Sequence, residues 1–210
     1  VMGSAIIAIA VIFQPELRRI LERVGHTNFR KGQFFDDSDG SIEQSIEDIS
    51  RASGNMQDKK VGALIVFERK TQLGEIINTG TVIDAKVSPS MVNNLFFPNS
   101  PLHDGAMIIR DGRIYAAACI LPLTDNYQIS RELGTRHRAG VGMSENSDAI
   151  VVILSEETGM ISVAEGGVLE RNFTPETLAK TLADRILWNQ NGEESKKKFR
   201  LRKNKKEEQV

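Results

Sequence analysis

The chain is 210 residues long, 40% hydrophobic and 26% charged, which suits one ordinary globular domain with tails and is too short for two large ones. Its 27 basic and 28 acidic residues leave a net charge of -1, so no global field draws in a polyanion, and nucleic acid is not among the expected partners. The single cysteine, Cys119, excludes an internal disulfide, and one cysteine with three histidines argues against a structural zinc site.

From Val1 to Phe13 the only polar side chain is Ser4, and arginines follow at positions 18, 19 and 23. This apolar run is shorter than the roughly 20 residues that cross a bilayer, yet the basic flank has the character of a cytoplasmic boundary. We read 1–24 as the end of a transmembrane helix with its juxtamembrane segment; the alternative is a buried N-terminal helix. Residues 25–40, rich in Gly, Asn, Asp and Ser, read as a linker.

Ser41 suits an N-cap for a helix reaching about Met56, with Ile42, Ile46 and Ile49 at helical spacing. Val61 to Phe67 is a continuous apolar run, the mark of a strand covered on both faces. A shorter strand is predicted over Thr79–Ala85 and a short helix over Pro89–Phe97. Met107–Ile109 and Arg113–Leu121 flank Asp111-Gly112, a strong signal for a tight hairpin. Ala149–Leu154 and Met160–Ala164 repeat that design around Glu157-Thr158-Gly159. A last helix begins near Thr174, with Pro175 at its first position and Leu178, Leu182 and Ile186 on one face. Eight of the eleven residues from Lys196 to Lys206 are basic, and 192–210 reads as a disordered tail. The fold class is therefore α/β: a mixed central β-sheet surrounded by helices over 41–191, preceded by the end of a transmembrane helix.

Two polar clusters interrupt this scaffold. In Asn99-Ser100-Pro101-Leu102-His103-Asp104-Gly105-Ala106, an imidazole and a carboxylate stand side by side just before a strand. Gly105 and Ala106 leave the backbone open to a ligand. Asp104 could hold a divalent metal or take a proton from an attacking hydroxyl; read alone, an Asp-Gly pair is also an ordinary turn. In Leu133-Gly134-Thr135-Arg136-His137-Arg138-Ala139-Gly140, Thr135 suits an N-cap, which crowds basic side chains at the positive end of a helix. That arrangement makes sense where an anion sits; the alternative is a solvated face whose arginines find surface carboxylates. Gly140-Val141-Gly142 lacks the context of a dinucleotide fingerprint.

Together the clusters are more specific. Asp104-Gly105-Ala106, followed about thirty residues later by Arg136-His137-Arg138, resembles the paired DGA and RHR signatures of diadenylate cyclase domains. Pro101-Leu102-His103, Gly134-Thr135 and Leu154-Ser155-Glu156-Glu157-Thr158-Gly159 fit as well, and the similarity runs from about Ile42 to Trp188. With the apolar segment upstream, the chain resembles the membrane-anchored type of Gram-positive bacteria, with the catalytic domain on the cytoplasmic side of the cell membrane.

The resemblance implies that two ATP molecules are condensed into cyclic di-AMP with release of pyrophosphate, using Mn²⁺ or Mg²⁺. It implies Asp104 as the catalytic residue beside the attacking 3′-hydroxyl. Gly105, Ala106, Leu121, Gly134, Thr135, Arg136, His137, Arg138, Ser155 and Glu156 are the implied nucleotide-binding positions. His103, Asp104 and Glu157 are the metal candidates. The product has two-fold symmetry and the chain carries each motif once, so a head-to-head homodimer is expected. Membrane-bound relatives are regulated by a membrane protein and by phosphoglucosamine mutase. The competing readings are a non-catalytic sensor of ATP or cyclic di-AMP, a metal-dependent phosphohydrolase built on His103 and Asp104, and a membrane-tethered interaction module.

Overall fold

The computed structural model describes residues 41–126 and 133–187. The expected membrane-helix end (1–24), the linker (25–40), the basic tail (192–210) and Trp188 lie outside the described residues. Among the described residues, no helix is long and apolar enough to cross a membrane.

In chain order the elements are α1 (Ile42–Asp58), β1 (Ala63–Phe67), α2 (Gly74–Ile77), β2 (Thr81–Lys86), α3 (Pro89–Leu95), β3 (Ala106–Arg110), β4 (Arg113–Cys119), α4 (Thr135–Asn146), β5 (Ile150–Leu154), β6 (Ile161–Glu165) and β7 (Val168–Phe173). A helix over 175–187, here α5, follows. The strands form one seven-stranded sheet in the order β2-β4-β3-β1-β5-β6-β7. Only β1 and β3 run parallel; every other neighbouring pair is antiparallel. This is the mixed sheet that the hairpin signals predict.

Local chemistry explains the boundaries. Ser41 caps α1, accepting from the Gln44 amide at 3.2 Å, and Ser88 caps α3 from the Met91 amide at 3.3 Å, with Pro89 at the first helical position. Thr174 accepts from the Thr177 amide at 3.3 Å while the Thr177 hydroxyl accepts from the Thr174 amide at 2.8 Å, a reciprocal cap for α5. Asp111 and Gly112 both take positive φ, 50° and 73°, the two-residue turn whose twist suits a hairpin.

Helices cover both sheet faces, which is why all five residues of β1 and of β5 are buried. On one face Ile65, Phe67, Met107, Val152 and Val163 pack against α1, α3 and α5, and Leu178 and Leu182 are fully buried there. On the other face Leu64, Val66, Ile108, Val151 and Ile153 pack against α4 and the α2 region. Truncating a core aromatic such as Phe67 to alanine typically costs about 3–5 kcal/mol.

Two elements differ from the sequence reading. β7 is absent from it because Val168-Leu-Glu-Arg-Asn-Phe is an edge strand with no fully buried residue and hence no apolar run; its turn, Gly166-Gly167 at φ 56° and 80°, repeats the tight hairpin geometry. Four-residue α2 is too short to display a helical period.

Candidate active site

A cleft of about 760 Å³ opens across one end of the sheet and beneath the start of α4. It gathers residues from both polar clusters: Asp104 and Gly105 from the approach to β3, and Gly134, Thr135, Arg136 and His137 from the start of α4. Leu121, just beyond β4, lines it as well, as do Ser155, Glu156 and Glu157, just beyond β5. These segments are far apart in the chain. They meet because β4, β3, β1 and β5 are consecutive in the sheet and their cleft-side ends are adjacent.

Glycines permit the close packing. Gly105 holds φ +110°, and a Cβ there would lie 2.7 Å from the carbonyl carbon of Ala118, so this residue lets the β3 approach press onto β4. Ala118 itself takes φ 55° where the β3–β4 register shifts. The glycines of α4 have a packing role: a Cβ on Gly142 would meet the Pro122 carbonyl oxygen at 2.4 Å, and one on Gly140 would meet Ile153. The 122–126 segment is tied to α4 by the Thr124 amide donating to the Arg138 carbonyl at 3.1 Å and the Thr124 hydroxyl donating to Glu145 at 2.8 Å. Leu121 and Leu123 are thereby held at the cleft wall.

The N-cap of α4 is Gly134 rather than Thr135, and Thr135 is the first helical residue, so the helix starts one position earlier than the sequence reading has it. No side chain caps this twelve-residue helix. Its first-turn amides, which carry the positive end of the helix dipole, therefore have no side-chain acceptor of the kind that caps α1 and α3.

The charges around that end are arranged unevenly. Arg136 donates from Nη1 to Glu156 Oε2 at 2.6 Å and lies against Gly62, where a Cβ would stand 2.7 Å from the same nitrogen. His137 is 6% exposed and its Nε2 has no hydrogen-bond partner among the described residues. Burial pushes its pKa down and the Arg171 guanidinium adds to that, against a smaller opposing pull from Glu157. His137 is thus a neutral imidazole at neutral pH, and the crowding of three cations expected at this helix end reduces to two guanidiniums. Arg138 is exposed and does not line the cleft.

Of three more predicted positions, Ala106 and His103 lie off the cleft lining and Glu157 is on it. Ala106 is fully buried in the core, paired with Cys119. Glu157 lines the cleft, near enough to His137 to raise its pKa. His103 is half-buried next to Asp104, and its Nδ1 lies 2.6 Å from the Ser100 carbonyl oxygen. A carbonyl only accepts, so Nδ1 carries the hydrogen and Nε2 is left as the nitrogen able to bind a cation. Among the described residues, no three His, Cys, Asp or Glu side chains gather into a metal cage. Of the three metal candidates, Asp104 and Glu157 line the cleft and His103 does not; the Asp104 carboxylate fits an ion that completes its shell with water and substrate phosphates.

The sequence reading leaves out several cleft residues: Leu64, Ala118, Ile120, Leu123, Thr158 and Arg171. The apolar ones look like core positions in a linear sequence, and Arg171 belongs to the unrecognised β7. Cys119 also lines the cleft, but burial pushes its thiol up to about 11, so it is no nucleophile at neutral pH.

Residues 50–169 match the family described as DAC, DisA bacterial checkpoint controller nucleotide-binding. The chain is 48% identical over 180 residues to the cyclic di-AMP synthase CdaA of Bacillus subtilis, covering 84% of this chain and 64% of that protein. It is 44% identical over 185 residues to a diadenylate cyclase of Listeria monocytogenes, covering 86% of this chain and 66% of the relative. The chain thus spans a little under two thirds of the length of these relatives. Among solved structures, DacA from Staphylococcus aureus (a double mutant) superposes with a TM-score of 0.66 at 50% identity, covering 68% of this chain and 95% of that one. A hypothetical membrane spanning protein from Bacillus cereus superposes with a TM-score of 0.60 at 36% identity, covering 78% of this chain and 79% of that one.

Proposed function

The chain belongs to the DAC family of DisA-type bacterial nucleotide-binding domains, and on that premise we propose that it is a diadenylate cyclase, condensing two ATP into cyclic di-AMP. The observation that carries this is the single cleft. An apolar wall at Ile120, Leu121 and Leu123, a carboxylate at Asp104 and a cationic helix start at Thr135–His137 all face one space of about 760 Å³. That volume lies in the range of small-molecule sites, about 300–1,000 Å³.

The chemistry requires positioning and charge more than covalent help. Each 3′-hydroxyl oxygen forms a bond to the α-phosphorus of the other ATP as the bond from that phosphorus to the bridging oxygen breaks. Pyrophosphate carries away the electron pair. Asp104 orients the 3′-hydroxyl and draws off its proton. The Thr135 and Arg136 end of α4 receives the triphosphate, where its amides and guanidinium oppose the charge growing on the leaving group. His137, neutral and with an unpartnered Nε2, offers a hydrogen-bonding group without adding charge. Arg138, outside the cleft, is available to the second nucleotide of a facing subunit. Asp104 would hold a Mn²⁺ or Mg²⁺ ion, with His103 and Glu157 as the further candidates, and the ion would neutralise phosphate charge.

Each chain supplies one Asp104 and one helix start, and two transfers are needed, so the active form is a head-to-head homodimer with one ATP per protomer. The membrane anchor over 1–24, a location at the cytoplasmic face of the cell membrane, and regulation by a membrane protein and phosphoglucosamine mutase belong to the same reading. Incubating the purified chain with ATP and Mn²⁺ and separating the nucleotides tests it. Cyclic di-AMP is the expected product; ADP or AMP alone, or unaltered ATP, would overturn it.

A further inference from the structure

Eight arginines fall among the described residues. Six of them, Arg51, Arg69, Arg110, Arg113, Arg136 and Arg185, have a carboxylate within 4.0 Å. Arg138 and Arg171 have none among the described residues. Of these two only Arg171 lines the cleft. It projects from β7 opposite Ser162 of β6, and the group it acts on there is His137, whose protonation it opposes. Arg171 is exposed, so water solvates its guanidinium in the free protein, and beside the neutral His137 ring it meets no repelling charge. Lining a concave site with no carboxylate partner among the described residues, it stays available to an entering anion.

The sheet order says which part of a ligand this anion is. The apolar cleft residues Ala118, Ile120, Leu121 and Leu123 lie at the end of β4 and just beyond it. Arg171 is on β7, with β3, β1, β5 and β6 between the two in the sheet. Along that line the polar lining begins at Asp104 and continues to Ser155, Glu156 and Arg171, with Leu64 and Leu154 flooring the cleft between them. A nucleotide with its base on the apolar wall therefore directs its phosphate chain toward β7, and the group farthest from the base is the one that reaches Arg171.

We infer that Arg171 binds the terminal phosphates of the nucleoside triphosphate, and the pyrophosphate they become, so that it distinguishes triphosphate from monophosphate. This rests on the nucleotide reading of the cleft. It adds a residue beyond the 50–169 stretch that matches the family. Arg136 starts from an ion pair with Glu156, whereas Arg171 needs to give up no partner among the described residues to take a phosphate.

Titration calorimetry on the whole chain tests it, using α,β-methylene ATP, AMP and inorganic pyrophosphate against wild type, Arg171→Met and Arg171→Lys, with thermal melting to establish that each variant is folded. Arg171→Met is expected to weaken the ATP analogue and pyrophosphate by about 10-fold or more, the scale of one charged hydrogen bond, and to leave AMP within about twofold. Arg171→Lys should retain part of the loss, since it keeps the charge without the fork. An equal loss for AMP, or no loss for the ATP analogue, would overturn the assignment while the nucleotide reading stands. A wild-type chain that binds none of the three would overturn both.

Discussion

Arg136 and Glu156 form an ion pair across the cleft, Nη1 to Oε2 at 2.6 Å, with the carboxylate side chain 61% exposed. The guanidinium that should receive a triphosphate is thus already occupied by a protein carboxylate, and ATP must displace or share it. Removing the competitor should help. Glu156→Gln is expected to tighten ATP binding modestly, by no more than about fivefold, because exposed ion pairs are worth about 0–1 kcal/mol. Weaker binding in that variant would mean that Glu156 itself supports the nucleotide.

Arg136→Ala should act in the opposite sense. Losing a charged hydrogen bond to phosphate is worth about 1.5–3 kcal/mol of ATP affinity, roughly 10- to 150-fold, measured by calorimetry. Unchanged affinity would remove Arg136 from the anion site.

Two glycines allow packing to be separated from function. Gly62→Ala introduces a Cβ 2.7 Å from Arg136 Nη1, the far end of a flexible side chain, which can move. That variant should melt near the wild-type temperature and bind ATP less well. Gly105→Ala places a Cβ against the Ala118 backbone at φ +110° and should lower stability by about 1–3 kcal/mol or more from backbone strain alone, read in denaturant unfolding. Equal stability of the two variants would contradict this difference.

His137 gives the fold a pH dependence. Its folded pKa lies below the ordinary histidine value of about 6.5, so the unfolded chain binds the proton more readily. Its contribution to stability is complete above about pH 6.5 and is lost as pH falls toward the folded value. Melting temperature should therefore drop on acidification from neutral pH, and His137→Gln should show a shallower drop. Arg171 opposes protonation of the ring and Glu157 favours it, so Arg171→Met should also flatten the profile. Parallel profiles for wild type and both variants would sink this assignment.

Asp104→Asn keeps the shape of the side chain and removes its charge. The variant should bind ATP and lose turnover by several orders of magnitude, as followed by cyclic di-AMP formation. A rate near wild type would take Asp104 out of the mechanism.

Much of this was readable in the chain because the signals were local. Asp111-Gly112 between apolar runs specified a hairpin, and Ser41 and Thr174-Pro175 marked helix starts by side-chain chemistry that operates over three residues, while the Ser88 cap of α3 appears only in the structure. The site was legible as two clusters on either side of one sheet end. What was not legible depended on distance. Nothing near Gly62 announces that Arg136 will lie over it, since 74 positions separate them and only the placement of α4 across β1 joins them. Arg171 was hidden because its strand has an exposed face and no apolar period. Gly105 was read as room for a ligand; the atoms nearest its missing side chain are those of β4.

The central claim is that Asp104 and Arg136 serve one nucleotide, and a crystal structure of the chain with α,β-methylene ATP tests it most directly. The account predicts the ribose 3′-hydroxyl beside the Asp104 carboxylate and phosphate oxygens on Arg136 and Arg171, within a single cleft. A nucleotide bound elsewhere, or one touching the arginines with its ribose turned away from Asp104 in every subunit, would contradict it.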